Sequence, residues 1–161
     1  MKNTFQSLKN TSIAKVQGTH KMITRYVLSL LVALVSFSAY SDVVVVASAD
    51  SKASKQKVDK STVARIFLGK LTTLPNGKKV KALNLEQGSK VRNEFNESVL
   101  DLTESQLGSY WSRSRFSGKT KPPKEVKNSK EVISFIQNNP EYIGYIDSKY
   151  LTKSVKVIFK P

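Results

Sequence analysis

The 161-residue chain contains no cysteine and one histidine, His20. Without cysteine it can form no disulfide, thiolate ligand or thiol nucleophile. His20 lies in a segment that we expect to be removed from the mature protein, which excludes histidine acid–base chemistry and His/Cys metal sites from the remainder. We therefore expect no catalytic residue, no metal site and no cofactor, and the chain is predicted not to be an enzyme.

Acidic residues are also scarce, since 12 Asp and Glu stand against 27 Lys and Arg, a net charge of +15. A protein with this charge attracts small oxyanions, anionic polymers or acidic membrane surfaces. The lysines are spread along the chain without a continuous basic block, which is typical of a solvated surface. The charge alone leaves all three classes of partner open.

The N-terminal 41 residues are predicted to be targeting sequence. Residues 1–21 are polar and precede Met22, an alternative start, so we interpret them as a mis-assigned extension. Residues 22–41 resemble a signal peptide, because an apolar run follows basic residues and small residues then precede Asp42. An uncleaved membrane anchor is the alternative, although the apolar run is shorter than the roughly 20 residues of a span.

Residues 42–161 are predicted to form one α/β domain. Removal of the five basic residues of the leader leaves 22 basic and 12 acidic residues, a net charge of +10. The segment opens with a β-branched run, Val43 to Ala47, of the kind that forms a strand covered on both faces. Ser48 and Ser51 follow this strand in a small polar loop, which we interpret either as a second ligand contact or as a plain connector.

The stretch from Asn84 to Val99 carries the main candidate site. It reads as a strand end, a turn at Gly88 and a helix that Ser89 caps. Val91, Phe95 and Val99 are spaced to bury one face of this helix. Lys90 and Arg92 lie in the first helical turn, where the helix dipole normally favours Asp or Glu. Free backbone N–H groups, a hydroxyl and an arginine together predict a seat for phosphate or sulfate. The alternative is an ordinary serine cap beside two solvated cations.

Further helices and strands are predicted from caps and periodicity. Asp59 or Ser61 caps one helix, Thr103 and Gln106 form a capping box for another, and Asn128 caps a third that ends near Asn138. Residues 118–124 are predicted to be a loop because they contain Pro122-Pro123. The predicted order is β, α, β, α, α, α, β, β. Trp111 falls at a helical core position, so we expect no nucleic-acid binding by base stacking.

Four motifs in this order resemble the phosphate-binding periplasmic proteins of ABC transporters, and more closely their small single-domain relatives. The motifs are Ile66-Phe67-Leu68-Gly69-Lys70, Gly88-Ser89 with Arg92 and Phe95, Trp111 through Gly118-Lys119 with Pro122-Pro123, and Ile143-Gly144-Tyr145-Ile146. The resemblance implies one lobe of the type II periplasmic-binding-protein fold, a mixed sheet flanked by helices. It also implies a periplasmic protein that binds inorganic phosphate.

The resemblance assigns phosphate contacts to Gly88, Ser89, Lys90 and Arg92, with Ser48 and Ser51 as a weaker second set. Asp50 and Glu86 are the nearest carboxylates in sequence that could accept a hydrogen bond from protonated phosphate. The turn departs from the family pattern, since it reads Gly-Ser-Lys where Ser-Gly-Thr is usual. The segment is also about one lobe long, so a second copy of the chain or a partner protein would supply the other wall of the cleft.

The implied function is a solute-binding component linked to an ABC-type phosphate uptake or sensing system. Its partners would be inorganic phosphate and a transporter membrane component or a sensor protein. The alternative function is a basic exported interaction protein that keeps the fold but binds an acidic partner or an envelope polymer.

Overall fold

The computed structural model describes residues 42–118 and 120–161. The predicted extension, residues 1–21, and the predicted signal peptide, residues 22–41, lie outside the described residues and stay predictions. Among the described residues, no helix has the length and apolar character of a membrane-spanning segment.

In the described part of the chain, five strands form one mixed sheet in the order β3-β2-β4-β1-β5. They are β1 (Val43–Ser48), β2 (Lys81–Leu85), β3 (Lys124–Val126), β4 (Tyr142–Asp147) and β5 (Val155–Phe159). Strand β2 runs parallel to β3 and β4, whereas β1 runs antiparallel to β4 and β5. The mixed α/β sheet expected from the sequence is therefore confirmed.

Strand β3 replaces the end of a predicted loop. The sequence indicated a loop over residues 118–124, but Lys124 begins β3, which pairs with β2 from Leu83 to Leu85. Three residues are too few to show a strand period, and the preceding Pro122-Pro123 is a loop signal. This strand is therefore defined by its pairing with β2, which local sequence does not reveal.

Among the residues that the structure describes, four α-helices flank this sheet: α1 (Lys60–Phe67), α2 (Lys90–Phe95), α3 (Glu104–Phe116) and α4 (Ser129–Asn138). Two predicted caps are confirmed, and of the alternatives Asp59 and Ser61 it is Asp59 that caps α1. The Asp59 carboxylate accepts the Thr62 N–H at 2.8 Å, Thr103 and Gln106 form the capping box, and the Asn128 side chain accepts the Glu131 N–H at 3.1 Å. Each cap satisfies a backbone donor that has no partner within its helix.

Helix α2 continues directly into a π-helical turn, Asn96–Leu100, and the chain then reverses at Asp101 with φ 55°. Phe95 and Val99 are buried on this segment as the apolar spacing predicted, whereas Val91 is only half-buried. Val91 instead lines a surface cleft near the beginning of α2.

Both faces of the sheet are covered. Successive residues of a strand face opposite sides, so Gly144 and Tyr145 of β4 mark the two faces. Gly144 lies against Val132 and Ile136 of α4. Tyr145 stacks on Phe95 of α2 with 3.9 Å between ring centroids. This double coverage explains why every residue of β1 is buried. The described residues belong to one compact unit with its own apolar core, so we expect residues 42–161 to fold on their own.

Gly144→Ala is predicted to lower the free energy of unfolding by about 1–3 kcal/mol. The reason is that a Cβ at this position would lie 2.7 Å from Val132 Cγ1 in a closely packed layer. Urea unfolding of residues 42–161 measures the change. Gly108→Ala in α3 is the matched control, because its Cβ would meet no atom within 4 Å. Alanine there should stabilise the helix by up to about 1 kcal/mol. Equal effects of the two substitutions would contradict the close packing of α4 on β4.

Candidate functional site

The two sequence-predicted groups of ligand contacts lie at opposite edges of the sheet. Leu85 ends β2 beside Val126 of β3, and Asp147 ends the parallel neighbour β4 at the same edge. Strand β1 runs the other way, so Ser48 follows Ala47, which pairs with Ile143 near the beginning of β4. The expectation that the Ser48 loop and the Gly88–Ser89 turn share one site is therefore corrected. Strand β1 runs antiparallel to β4, whereas β2 runs parallel to it, so β1 and β2 end at opposite edges of the sheet.

Ser48 and Ser51 are buried in the fold and are not exposed to a ligand. Both are buried, and the Ser51 hydroxyl oxygen accepts the Ser54 N–H at 3.3 Å, where it caps the 3₁₀ helix Lys52–Lys55. Asp50, which follows the same strand, is exposed at this edge. Of the two interpretations that the sequence left open, a plain connector fits this loop better than a ligand contact does.

The Gly88–Ser89 turn leaves open space beside its backbone. Gly88 has φ 82°, the left-handed region that favours glycine, and no heavy atom lies within 4 Å of the place of its missing Cβ. Ser89 is the N-cap residue of α2, but its side chain makes no capping hydrogen bond. The prediction that Ser89 is the N-cap residue is therefore confirmed, whereas the prediction that its hydroxyl caps the helix is wrong. Lys90 is exposed and lies 3.7 Å from the Glu94 carboxylate.

Arg92 is the most tightly held polar side chain in this region, with 3% of its surface exposed. Its Nε and Nη2 donate to the two carboxylate oxygens of Glu104 at 2.9 and 2.7 Å. Its Nη1 donates to Glu125 at 2.5 Å and to the Leu85 carbonyl. Burial alone would lower the pKa of Arg92, but the hydrogen bonds that it donates to Glu125 and Glu104, together with their negative charges, raise it above the usual value.

This network corrects the bidentate phosphate contact expected of Arg92. A guanidinium has five N–H donors, and four of them are directed to acceptors within the protein. The Nε and Nη2 donors that would bind two phosphate oxygens already donate to the two oxygens of the Glu104 carboxylate. Glu104 was not singled out in the sequence, because its only visible signal was its place in the first turn of α3.

A cleft of about 430 Å³ lies at the edge where β2 and β4 end. Its lining includes Ser89 together with Lys127, Ser129, Lys130, Asp147 and Lys149. Ser129 begins α4, and its hydroxyl oxygen accepts the Asp147 N–H at 3.3 Å, which leaves the hydroxyl proton to donate. The cleft therefore brings hydroxyls near the beginnings of α2 and α4 together with three lysines.

Asp147 is a buried carboxylate in this cleft, with 6% of its surface exposed. It accepts the ammonium of Lys149 at 2.6 Å, and this hydrogen bond raises the pKa of Lys149. Sequence reasoning missed Asp147, Ser129 and the cleft lysines, because they come from elements distant in sequence. Glu86, one of the two carboxylates favoured by the sequence, is exposed just after β2.

A second cleft of about 430 Å³ is lined by Gln87, Arg92, Arg115 and Glu125, among other residues. In the described lining of this cleft, Arg115 is the only cation outside the Arg92 ion pairs, whereas Lys127 and Lys130 both add charge to the first cleft. The second cleft therefore attracts an anion less strongly. Among the described residues, no group of three or more His, Cys, Asp or Glu could hold a metal ion.

No family model and no curated protein matches the chain. Its fold is similar to that of three solved structures. A protein described as a phosphate ABC transporter substrate-binding protein, from Clostridium perfringens with bound phosphate, is 19% identical with a TM-score of 0.57. An ABC-type phosphate transport receptor from Vibrio cholerae is 20% identical with a TM-score of 0.56, and PstS from Borrelia burgdorferi is 15% identical with a TM-score of 0.53.

Each match covers 73% of this chain and 44%, 45% and 46% of the respective structure, so the chain spans less than half of each. The predicted resemblance in fold is confirmed. The described chain has the α/β fold of one lobe of a substrate-binding protein.

Arg92→Ala is predicted to lower the free energy of unfolding by about 3 kcal/mol, since it leaves carboxylates without their buried partner. The partial exposure of Glu104 and Glu125, at 29% and 43% of their side chains, places this estimate at the low end for a buried pair. Urea unfolding measures the change. Arg113→Ala is the matched control, because Arg113 is exposed on α3 and should change stability by less than about 0.5 kcal/mol. A near-neutral Arg92→Ala would show that the network does not stabilise the fold.

Proposed function

We propose that the protein binds a phosphate-class oxyanion in the cleft at the carboxyl ends of β2 and β4. The observation that carries the proposal is the convergence of two hydroxyls and three lysines on that cleft. The likeness in fold to a substrate-binding protein with bound phosphate supports the same ligand class. The protein would serve as an exported solute-binding component of an ABC-type phosphate uptake or sensing system.

The cleft offers three kinds of interaction to an oxyanion. The Ser89 hydroxyl is not used as a helix cap, and the Ser129 hydroxyl can donate while its oxygen accepts from Asp147. Backbone N–H groups in the first turns of α2 and α4 add donors that have no partner within their helices. Lys127 and Lys130 give the site a positive field that raises the rate of encounter.

Arg92 has a positioning role in this proposal. By donating to the Leu85 carbonyl, it fixes the end of β2 immediately before the Glu86–Ser89 turn. Its ion pairs with Glu104 and Glu125 connect that strand end to α3 and β3. An Arg92 variant would therefore lose stability and binding together, which makes it a poor probe of ligand contact.

Asp147 would distinguish phosphate from sulfate. A buried carboxylate can accept a hydrogen bond from the remaining proton of hydrogen phosphate, whereas fully ionised sulfate has no proton to donate. The carboxylate would then repel sulfate at close range. Asp147 takes the role that the sequence assigned to Asp50 or Glu86.

Ser89→Ala is predicted to weaken phosphate binding by about tenfold to a hundredfold, the range expected for losing a hydrogen bond to a charged group. Calorimetric titration of residues 42–161 with phosphate measures the change. Stability should be unaffected, because the Ser89 side chain makes no capping bond. Ser48→Ala is the matched control at the opposite edge of the sheet and should bind phosphate as the unmodified protein does. No saturable binding by the unmodified protein would refute the function, and a loss confined to Ser48→Ala would move the site to the other edge.

Asp147→Asn is predicted to reduce the preference for phosphate over sulfate by about tenfold, because the amide can donate to sulfate and no longer repels it. Competitive titration with the two anions at constant ionic strength measures the ratio of affinities. Glu86→Gln is the control, since Glu86 is an exposed carboxylate on the neighbouring turn. An unchanged ratio in Asp147→Asn would exclude Asp147 as the discriminating group.

A further inference from the structure

The end of α3 carries an aromatic side chain that has no place in the core. Phe116 is 98% exposed, whereas Trp111 one and a half turns earlier is buried. A single exposed apolar side chain is ordinary on a protein surface, so this ring is notable only for the exposed cations that flank it. Arg113, Arg115 and Lys121 are exposed around it in sequence. We call these four residues the basic tip.

The sequence around the basic tip contains no acidic residue that could neutralise its charge. Residues 105–124 contain five Lys or Arg and no Asp or Glu. The acids that border this segment, Glu104 and Glu125, are both paired with Arg92. In the part of the chain that the structure describes, neither Arg113 nor Arg115 has a carboxylate within ion-pair distance. The positive charge of the tip is therefore available to an external anionic surface.

We propose that the basic tip binds the surface of an anionic lipid bilayer, with the Phe116 ring inserted among the headgroups. The ring is almost wholly exposed, which suits a fluid interface that closes around any inserted side chain. Flanking arginines can extend their charged heads toward lipid phosphates while their stems lie along the apolar boundary. A second copy of the chain fits poorly, because it would bring another basic surface against the tip.

This docking surface is separate from the phosphate cleft and does not depend on phosphate binding. The tip is formed by the end of α3 and the residues after it, whereas the cleft is lined by residues near the beginnings of α2 and α4 and at the end of β4. It would hold the protein at a membrane face by combining one inserted ring with several charges, a weak and reversible attachment.

The test is co-sedimentation of residues 42–161 with two kinds of vesicle at low salt. One kind contains equal parts of phosphatidylglycerol and phosphatidylcholine, and the other contains phosphatidylcholine alone. We expect binding to the first and little to the second. Phe116→Ser should weaken binding to the anionic vesicles about tenfold, which corresponds to about 1.4 kcal/mol. Circular dichroism and urea unfolding should be unchanged, because the ring contributes nothing to the core.

Two matched controls distinguish binding through the basic tip from non-specific attraction of a basic protein to anionic lipid. Leu151→Ser removes another exposed apolar side chain and should leave vesicle binding unchanged. The double variant Arg113→Gln with Arg115→Gln should weaken binding more than Lys153→Gln with Lys156→Gln, which removes the same charge from exposed positions elsewhere. If Phe116→Ser binds like the unmodified protein, or if both charge variants lose binding equally, the proposal is wrong. Absence of binding to either vesicle also overturns it and would direct attention to an acidic protein partner.

Discussion

The buried guanidinium of Arg92 is the constraint on which this end of the molecule depends. It donates to Glu104 at the beginning of α3, to Glu125 in β3 and to the last carbonyl of β2. A buried charge is tolerable only when its donors are satisfied, so each of these elements must occupy its place for the arginine to remain inside. The turn that follows Leu85 is therefore held by a side chain seven residues later. Asn96 strengthens the arrangement by donating to Glu104 at 2.7 Å.

The same network decides where positive charge is available. Arg92 is matched by two carboxylates, so its group carries no surplus positive charge toward solvent. The cleft beside it obtains its positive field from Lys127 and Lys130 instead. Lys149 is held by Asp147, which keeps a carboxylate and an ammonium in fixed relation within the cleft. An arginine in the first turn of a helix is thus a structural support here, and surface lysines give the cleft its charge.

The sheet directions separate surfaces that the sequence placed together. One antiparallel strand, β1, sends the Ser48–Ser51 loop to the edge opposite the Gly88–Ser89 turn. Parallel strands β2, β3 and β4 bring their ends together, and these ends form the cleft with the beginning of α4. Similarity at 15% to 20% identity extends over the α/β fold, because a covered sheet requires a pattern of apolar residues rather than particular ones.

Local structure follows from neighbouring residues along the chain. The β-branched run of β1, the caps at Thr103 and Asn128, and the apolar spacing of Phe95 and Val99 act over a few residues, so their signals are readable without tertiary contacts. Tertiary structure decided the strand β3, which exists through pairing with β2, and the partners of Arg92, which come from 12 and 33 residues away. It also decided the cleft, where Ser89 meets Ser129 and Asp147. These features depend on which distant elements pack together, and a hydrogen-bonding side chain carries no local mark of the partner it will find.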